Sequence, residues 1–225
     1  MVESETPEQS RDETNARERA ELNRCLILRR QPAAAGAVRR WWQRLALTPA
    51  EAEKIGLAVR PWSPGLRAVL RRSETPEAAA MTEGFRRLWY TQQKAAGDDA
   101  DNLNIAAWAC VAMLLAEVKG DAVGQSFAAE AGKEQGDTGE PVVSALRFQQ
   151  LQESRSPEEL VRRLRRVLAM LRGSSLSPVL LADDVLLWFA ERAGQRWPDD
   201  PGKRLAFRWA EAYFGQVARY KSIDG

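Results

Sequence analysis

The chain has 225 residues, of which 44% are hydrophobic and 28% charged, with 33 Lys and Arg against 31 Asp and Glu. A chain of this length buries roughly 70% of the surface its unfolded form exposes, enough for one domain or two small lobes without staples. Histidine is absent, which excludes Ser-His and Cys-His nucleophile pairs, zincin motifs and Glu-x-x-His di-iron sites.

Walker and Rossmann glycine loops are missing as well, so an enzyme would have to work with carboxylates, lysine or tyrosine. The two cysteines, Cys25 and Cys110, lie in apolar runs without metal-ligand spacing and suit a reduced, cytoplasmic protein. No apolar run approaches the ~20 residues of a membrane span, and no signal peptide precedes the charged N-terminus; a soluble protein with no membrane partner is expected. The net charge of +2 hides segregation. Residues 24–94 hold 14 basic against 5 acidic residues, residues 98–140 hold 2 against 9, and residues 147–172 hold 7 against 3. Such a distribution favours one side that faces a polyanion.

In chain order, residues 1 to about 15 are rich in Glu, Ser, Thr and Arg, and disorder is expected there. Leu22, Cys25, Leu26, Ile27 and Leu28 suggest a short helix, packed on the body or a partner, or simply amphipathic at the surface. From Ala37 onward the periodicity is helical and no period-2 alternation appears. Trp41, Trp42 and Leu45 supply the first core helix, with Arg39, Arg40 and Arg44 outward. Thr48-Pro49-Ala50-Glu51 is a capping box, and Pro61-Trp62-Ser63-Pro64 is a stiff turn.

Residues 65–72 form a helix with Leu66, Val69 and Leu70 on one side, Arg67 and Arg71 on the other, and Arg72 at the margin. Thr75-Pro76 restarts a helix in which Phe85, Leu88 and Trp89 share one face and Arg87, Tyr90 and Lys94 the opposite one. This hairpin is a mount for a basic patch. Asp98, Asp99 and Asp101 next to Gly97 read as helix-start chemistry rather than a metal site. Residues 103–118 form the most apolar helix, with Ile105, Trp108, Val111, Ala112 and Leu115 inward.

Residues 119–140 read as an acidic surface insertion with a weak helical piece at 127–131. Pro141 opens a helix where Val142, Leu146 and Leu151 alternate with Arg147 and Arg155. Ser156-Pro157-Glu158-Glu159 is a strong helix start. Leu160, Leu164, Val167, Leu168 and Leu171 follow as one stripe, with Arg162, Arg165 and Arg166 opposite, Arg163 flanking and Gly173 as the stop. Solvated faces usually alternate signs; this one has no acid between Glu159 and Asp183, which favours phosphate binding.

Ser177-Pro178 starts a helix to Arg192, with Leu181, Val185, Trp188 and Phe189 inward. Asp183 and Asp184 diverge by about 100° and cannot share one ion; Asp184 is expected to pair with an arginine of a neighbouring helix. The last helix, residues 203–220, offers Leu205, Trp209, Ala212 and Phe214 for packing and Arg204 with Arg208 as an outward pair. Of the eight tryptophans, Trp41, Trp89, Trp108, Trp188 and Trp209 sit in apolar stripes, which leaves Trp62 and Trp197 open as stacking platforms. The expected fold is all-α, two small helical-bundle lobes with no β-sheet. A polar, partly disordered extension (1–35) precedes the N-terminal lobe (36–118), and an acidic linker or insertion (119–140) precedes the C-terminal lobe (141–225).

One ordered set of residues carries a family resemblance. Gly65-x-Arg67-Ala68-x-Leu70-Arg71-Arg72, the Thr75-Pro76-Glu77 turn and Phe85-x-Arg87-Leu88 resemble the N-terminal signature of the CasB small subunit of the type I-E Cascade, the CRISPR surveillance complex. Residues 37–45 look like its first helix and residues 147–171 like its basic C-terminal pair, so the resemblance spans roughly residues 37–215. It implies a subunit that catalyses nothing and needs no cofactor. A homodimeric pair of such subunits would lie beside the backbone and large subunits of the guide-RNA complex and hold target DNA, chiefly the displaced strand, once the guide RNA has paired.

Carried onto this chain, the paired-arginine position is Arg71 and Arg72. Arg147, Arg162, Arg163, Arg165 and Arg166 follow, and then Arg67, Arg87 and Lys94. Arginine forks grip phosphates bidentately without reading bases, and sequence choice would belong to guide pairing. The chain departs from the family pattern at Arg86, where an aromatic is favoured, and at Gln149-Gln150, where arginine is. Two other readings use the same residues: a helical DNA-binding transcriptional regulator with residues 67–94 as a helix-turn-helix, and a carboxylate enzyme built on the aspartates, although neither acidic set converges on one point.

Overall fold

A computed structural model describes residues 7–57, 60–171, 174–194 and 199–221; Gly173 and Trp197 lie outside the described residues. The helices are α1 (Pro7–Arg24), α2 (Pro32–Ala46), α3 (Pro49–Lys54), α4 (Pro64–Arg72), α5 (Pro76–Ala80), α6 (Glu83–Ala96), α7 (Ile105–Leu115), α8 (Phe127–Gly132), α9 (Ala145–Gln152), α10 (Pro157–Met170), α11 (Pro178–Arg192) and α12 (Leu205–Lys221). Among the described residues no strand occurs, only an isolated bridge between Glu134 and Pro141. The fold is all-α. None of these helices is long and apolar enough to cross a membrane.

Local chemistry explains most helix starts. Pro32, Pro49, Pro64, Pro76, Pro157 and Pro178 open helices, where the missing N–H costs nothing. The Thr48–Glu51 capping box forms, with Glu51 N donating to Thr48 Oγ1 at 3.3 Å and Thr48 N to Glu51 Oε2 at 2.7 Å. Ser156 accepts from Glu159 N at 3.2 Å. The helix expected after Thr75 is two helices. Thr82 caps anew by accepting from Phe85 N at 3.2 Å, and the chain bends between α5 and α6.

Packing is organised by α7, which is buried from Ala107 to Leu115 and contacts α4, α5, α6, α10 and α11. A helix apolar all round belongs inside rather than along one flank. The buried apolar cluster runs from Cys25 through α7 to Tyr213. Its cap is Asn104, which accepts from Ala107 N at 3.0 Å, while Asp98, Asp99 and Asp101 sit in a 3₁₀ turn, Gly97–Asn102.

Several expectations are corrected. Residues 7–24 are helical, although their composition predicts disorder up to about 15. Within residues 119–140 the helical piece is core rather than surface: Phe127, Ala128, Glu130, Ala131 and Gly132 of α8 are buried, against α12, while residues 133–140 lie mostly exposed. Gly132 lies so close that a Cβ there would stand 2.2 Å from the Tyr213 carbonyl oxygen. On α12 the stripe Leu205, Trp209, Tyr213 faces inward and Phe214 faces out, because the four-residue step follows the helix surface. Val69, Ile105 and Leu146 are likewise exposed.

Candidate nucleic-acid interface

Three neighbouring places hold most of the predicted cations. The first is a groove of about 600 Å³ along α9 and α10, lined by Arg147, Gln150, Arg162, Arg163, Arg166 and Met170 among others, with no carboxylate in its wall. The amphipathic pattern of α10 creates it. Leu160, Val161, Leu164, Val167 and Leu168 are buried, which forces Arg162 and Arg166 to solvent. Arg163 is tied across the groove, donating to the Gln150 carbonyl and to Glu159. Glu159 also accepts from Arg155 N at 2.8 Å, and that bond, ahead of the arginines, holds its carboxyl below the usual range. Arg147, Arg162 and Arg166 therefore remain exposed, and among the described residues only Arg162 of the three approaches an acid, Glu159 at 3.9 Å.

The second place is a cleft on the other side of α10, lined by Arg162, Arg165 and Arg166 together with Glu74, Glu158 and Glu159. Arg162 and Arg166 border both depressions. The third place is a joint where α2, α4 and α7 end. Arg165 Nη1 donates to the Ser73 carbonyl at 2.8 Å and Nη2 to the Leu70 carbonyl at 3.0 Å, at the C-terminus of α4. Its Nε lies 3.4 Å from Glu117 Oε1 as an ion pair. Arg71 Nε donates to the other oxygen of Glu117 at 2.9 Å. Arg71, Glu117 and Arg165 thus link α4 to the α10 cleft.

Arg67 does not project outward as its helical position predicts. Its Nε donates to the Ala116 carbonyl at 2.8 Å, Nη1 to Ala46 at 3.1 Å and Nη2 to Val118 at 2.8 Å. Helix C-termini leave carbonyls unpaired and carry partial negative charge, so one guanidinium inserted among them satisfies both needs. Burial pushes the pKa of Arg67 and of Arg165 below the ordinary arginine value. Arg67 is an internal clamp, and a helix-turn-helix that relied on it would lose a contact residue.

The remaining predicted cations divide. Arg72 is exposed beside Arg71 at the end of α4. Arg87 and Lys94 are exposed on α6, and neither lines the two depressions. Arg87 is held by Glu83 at 3.0 Å through Nε and lies 4.9 Å from the Trp62 ring centre, with Arg44 at 4.7 Å from the same ring. Two guanidiniums occupy Trp62, so it is not an open stacking platform. Trp41, Trp42, Trp108, Trp188 and Trp209 are core residues.

Other charged residues are structural, and no local pattern marks their partners. Arg39, expected outward, is buried between Glu21, Asp121 at 2.9 Å and Glu18 at 3.6 Å. Asp183 accepts from Leu26, Ile27 and Leu28 N–H groups at 2.8 Å each. Asp184, expected to pair with an arginine, accepts from Trp209 Nε1 at 3.0 Å; it is Asp183 that Arg208 approaches, at 3.9 Å. Arg208 therefore turns inward, donating also to the Arg24 carbonyl at 2.8 Å. No group of three or more acidic or cysteine side chains among the described residues converges as a metal site.

A family model described as CRISPR-associated protein Cse2 matches residues 66–214. The chain belongs to the CRISPR-associated Cse2 family. Cse2 proteins are the CasB small subunits of the type I-E Cascade, so this chain is a structural subunit of that complex, working with other subunits and nucleic acid. The Cse2 match begins in α4 and ends in α12, covering the cleft, the groove and the α4, α7 and α10 parts of the joint and leaving α1 to α3 outside. No curated protein and no solved structure matches the chain.

Proposed function

We propose that this Cse2 protein binds the phosphate backbone without sequence preference and thereby stabilises the R-loop of guide RNA and target DNA, chiefly the displaced strand. The observation that carries this reading is the α9–α10 groove, where four arginines meet with no carboxylate in the wall. Guanidiniums on rigid helices offer preorganised, bidentate donors to successive phosphates. Arg71 and Arg72 extend the cationic run toward α4 through Glu117 and Arg165. The protein acts as a pair within the complex, beside the backbone and large subunits, in the cytoplasm, and it catalyses nothing.

The test compares Arg147→Ala/Arg162→Ala/Arg166→Ala with the exposed pair Arg29→Ala/Arg30→Ala outside the site. The full chain is titrated with a labelled single-stranded oligonucleotide at several salt concentrations, and R-loop lifetime is followed in the reconstituted complex. The triple variant should bind more weakly and with a flatter salt dependence, because each lost phosphate contact reduces counterion release. Equal behaviour of the two variants overturns the assignment. Sequence-selective binding to intact duplex would support the regulator reading instead.

A further inference from the structure

The joint between α4, α7 and α10 contains one carboxylate, Glu117, between two arginines. Its side chain is 17% exposed; Oε2 accepts from Arg71 Nε at 2.9 Å, and Oε1 faces Arg165 Nε at 3.4 Å. Arg165 is itself immobilised by the Leu70 and Ser73 carbonyls. Glu117 lies two residues past Leu115, the end of the buried helix α7, so its backbone is anchored to the core. Arg71 is different: half of its side chain is exposed and only its Nε is engaged. The two terminal nitrogens, the ones a phosphate takes bidentately, are left for solvent.

We propose that Glu117 is a positioning residue that holds the Arg71 guanidinium in place for a phosphate of the bound strand; this rests on the nucleic-acid reading above. An arginine on a solvated helix end has rotamer freedom that binding must otherwise remove. A charge-assisted bond at Nε removes part of that freedom beforehand and leaves the outer edge of the fork open. The carboxylate would also repel an incoming phosphate. Here, however, Arg165 stands on its far side and the half-buried Arg67 guanidinium is close enough to feel its charge, so the joint remains cationic. Orientation wins over repulsion. The ion pair is therefore a support for Arg71 rather than a competitor that must be displaced.

The experiment is a double-mutant cycle on the full chain with Glu117→Ala, Arg71→Ala and the double variant. Affinity and salt dependence for a labelled single-stranded oligonucleotide are the readouts, with thermal melts alongside. Arg71→Ala should weaken binding about fivefold and reduce the logarithmic salt slope by about 0.7, the value of one phosphate contact on a single strand. Glu117→Ala should reproduce most of both effects, and the double variant should be no weaker than Arg71→Ala. Glu117→Gln, which keeps an acceptor without charge, should fall between wild type and Glu117→Ala. Where Glu117→Ala does not fold, the cycle is run with Glu117→Gln.

Tighter or unchanged binding on replacing Glu117, or losses that add in the double variant, would overturn the inference. A merely structural role would lower the melting temperature and leave the salt slope alone. If the triple variant of the α9–α10 groove loses binding while Glu117→Ala does not, this inference alone fails. If the groove variant binds like wild type, the nucleic-acid reading fails with it.

Discussion

Arg165 reaches across 92 residues of sequence to place its guanidinium on the Ser73 carbonyl, 2.8 Å away, while also bonding the Leu70 carbonyl. The contact joins α10 to the C-terminus of α4 and makes the two parts of the basic surface one rigid piece. Because a planar fork is needed to reach both carbonyls, lysine is no substitute. Arg165→Ala should lower stability by about 2–3 kcal/mol, since charged hydrogen bonds are lost and carbonyls left unpaired, and Arg165→Lys should recover little. Arg162→Ala, on the exposed side of the same helix, should change stability by under about 0.5 kcal/mol. Chemical denaturation of the three variants measures the contrast.

Arg67 and Arg71, one helical turn apart, should give opposite phenotypes. Arg67 holds the Ala46, Ala116 and Val118 carbonyls, so Arg67→Ala should cost about 3 kcal/mol or more in stability. Its effect on oligonucleotide affinity per folded molecule should be small. Arg71→Ala should leave the melting temperature within about 2 °C of wild type and weaken binding. Melting curves and titrations on the same preparations separate the two roles.

Gly132 has no room for a side chain, as an added Cβ would meet the backbone of Tyr213 rather than a movable side-chain tip. Gly132→Ala should therefore separate α8 from α12 and destabilise by about 3 kcal/mol or more. Gly136→Ala is the control for space: no atom lies within 4 Å of a Cβ there, though its φ of 62° adds some strain. Soluble yield and melting temperature distinguish them.

Asp183 and Asp184 adjoin in sequence and should respond oppositely to amidation. Asp183→Asn loses part of the acceptor set for three backbone N–H groups and should destabilise by about 3 kcal/mol. Burial raises the Asp184 carboxyl from the ordinary 3.8 to about 7. A carboxyl that binds its proton more tightly in the folded state stabilises below its unfolded pKa, and that contribution is lost as pH rises through the folded pKa. Asp184 should thus contribute a fall in stability between about pH 4 and 7 that levels off above, beside the like-signed contributions of Asp121, which burial raises to about 6, and of Asp183. Asp184→Asn should make the profile shallower and exceed wild type at pH 8 by about 1–3 kcal/mol. Melts from pH 4 to 8 on both variants measure it.

Local features were legible in the residues alone: the proline and hydroxyl helix starts, the Thr48–Glu51 box, the apolar α7, the stripe and cationic face of α10, and the ordered motif that announces the family. Each depends on residues within a turn or two of one another, and helical geometry fixes those relations before any packing occurs. Tertiary structure alone decided which arginines stay free. Arg67, Arg165 and Arg208 have the same local pattern as Arg71 and Arg166, but carbonyls and carboxylates brought up by distant helices claim them. It also decided that α8 is core rather than insertion, because the close approach of α12 to Gly132 has no local signature. A charge is spent or left free according to what faces it across the fold, and helical periodicity cannot encode that neighbour.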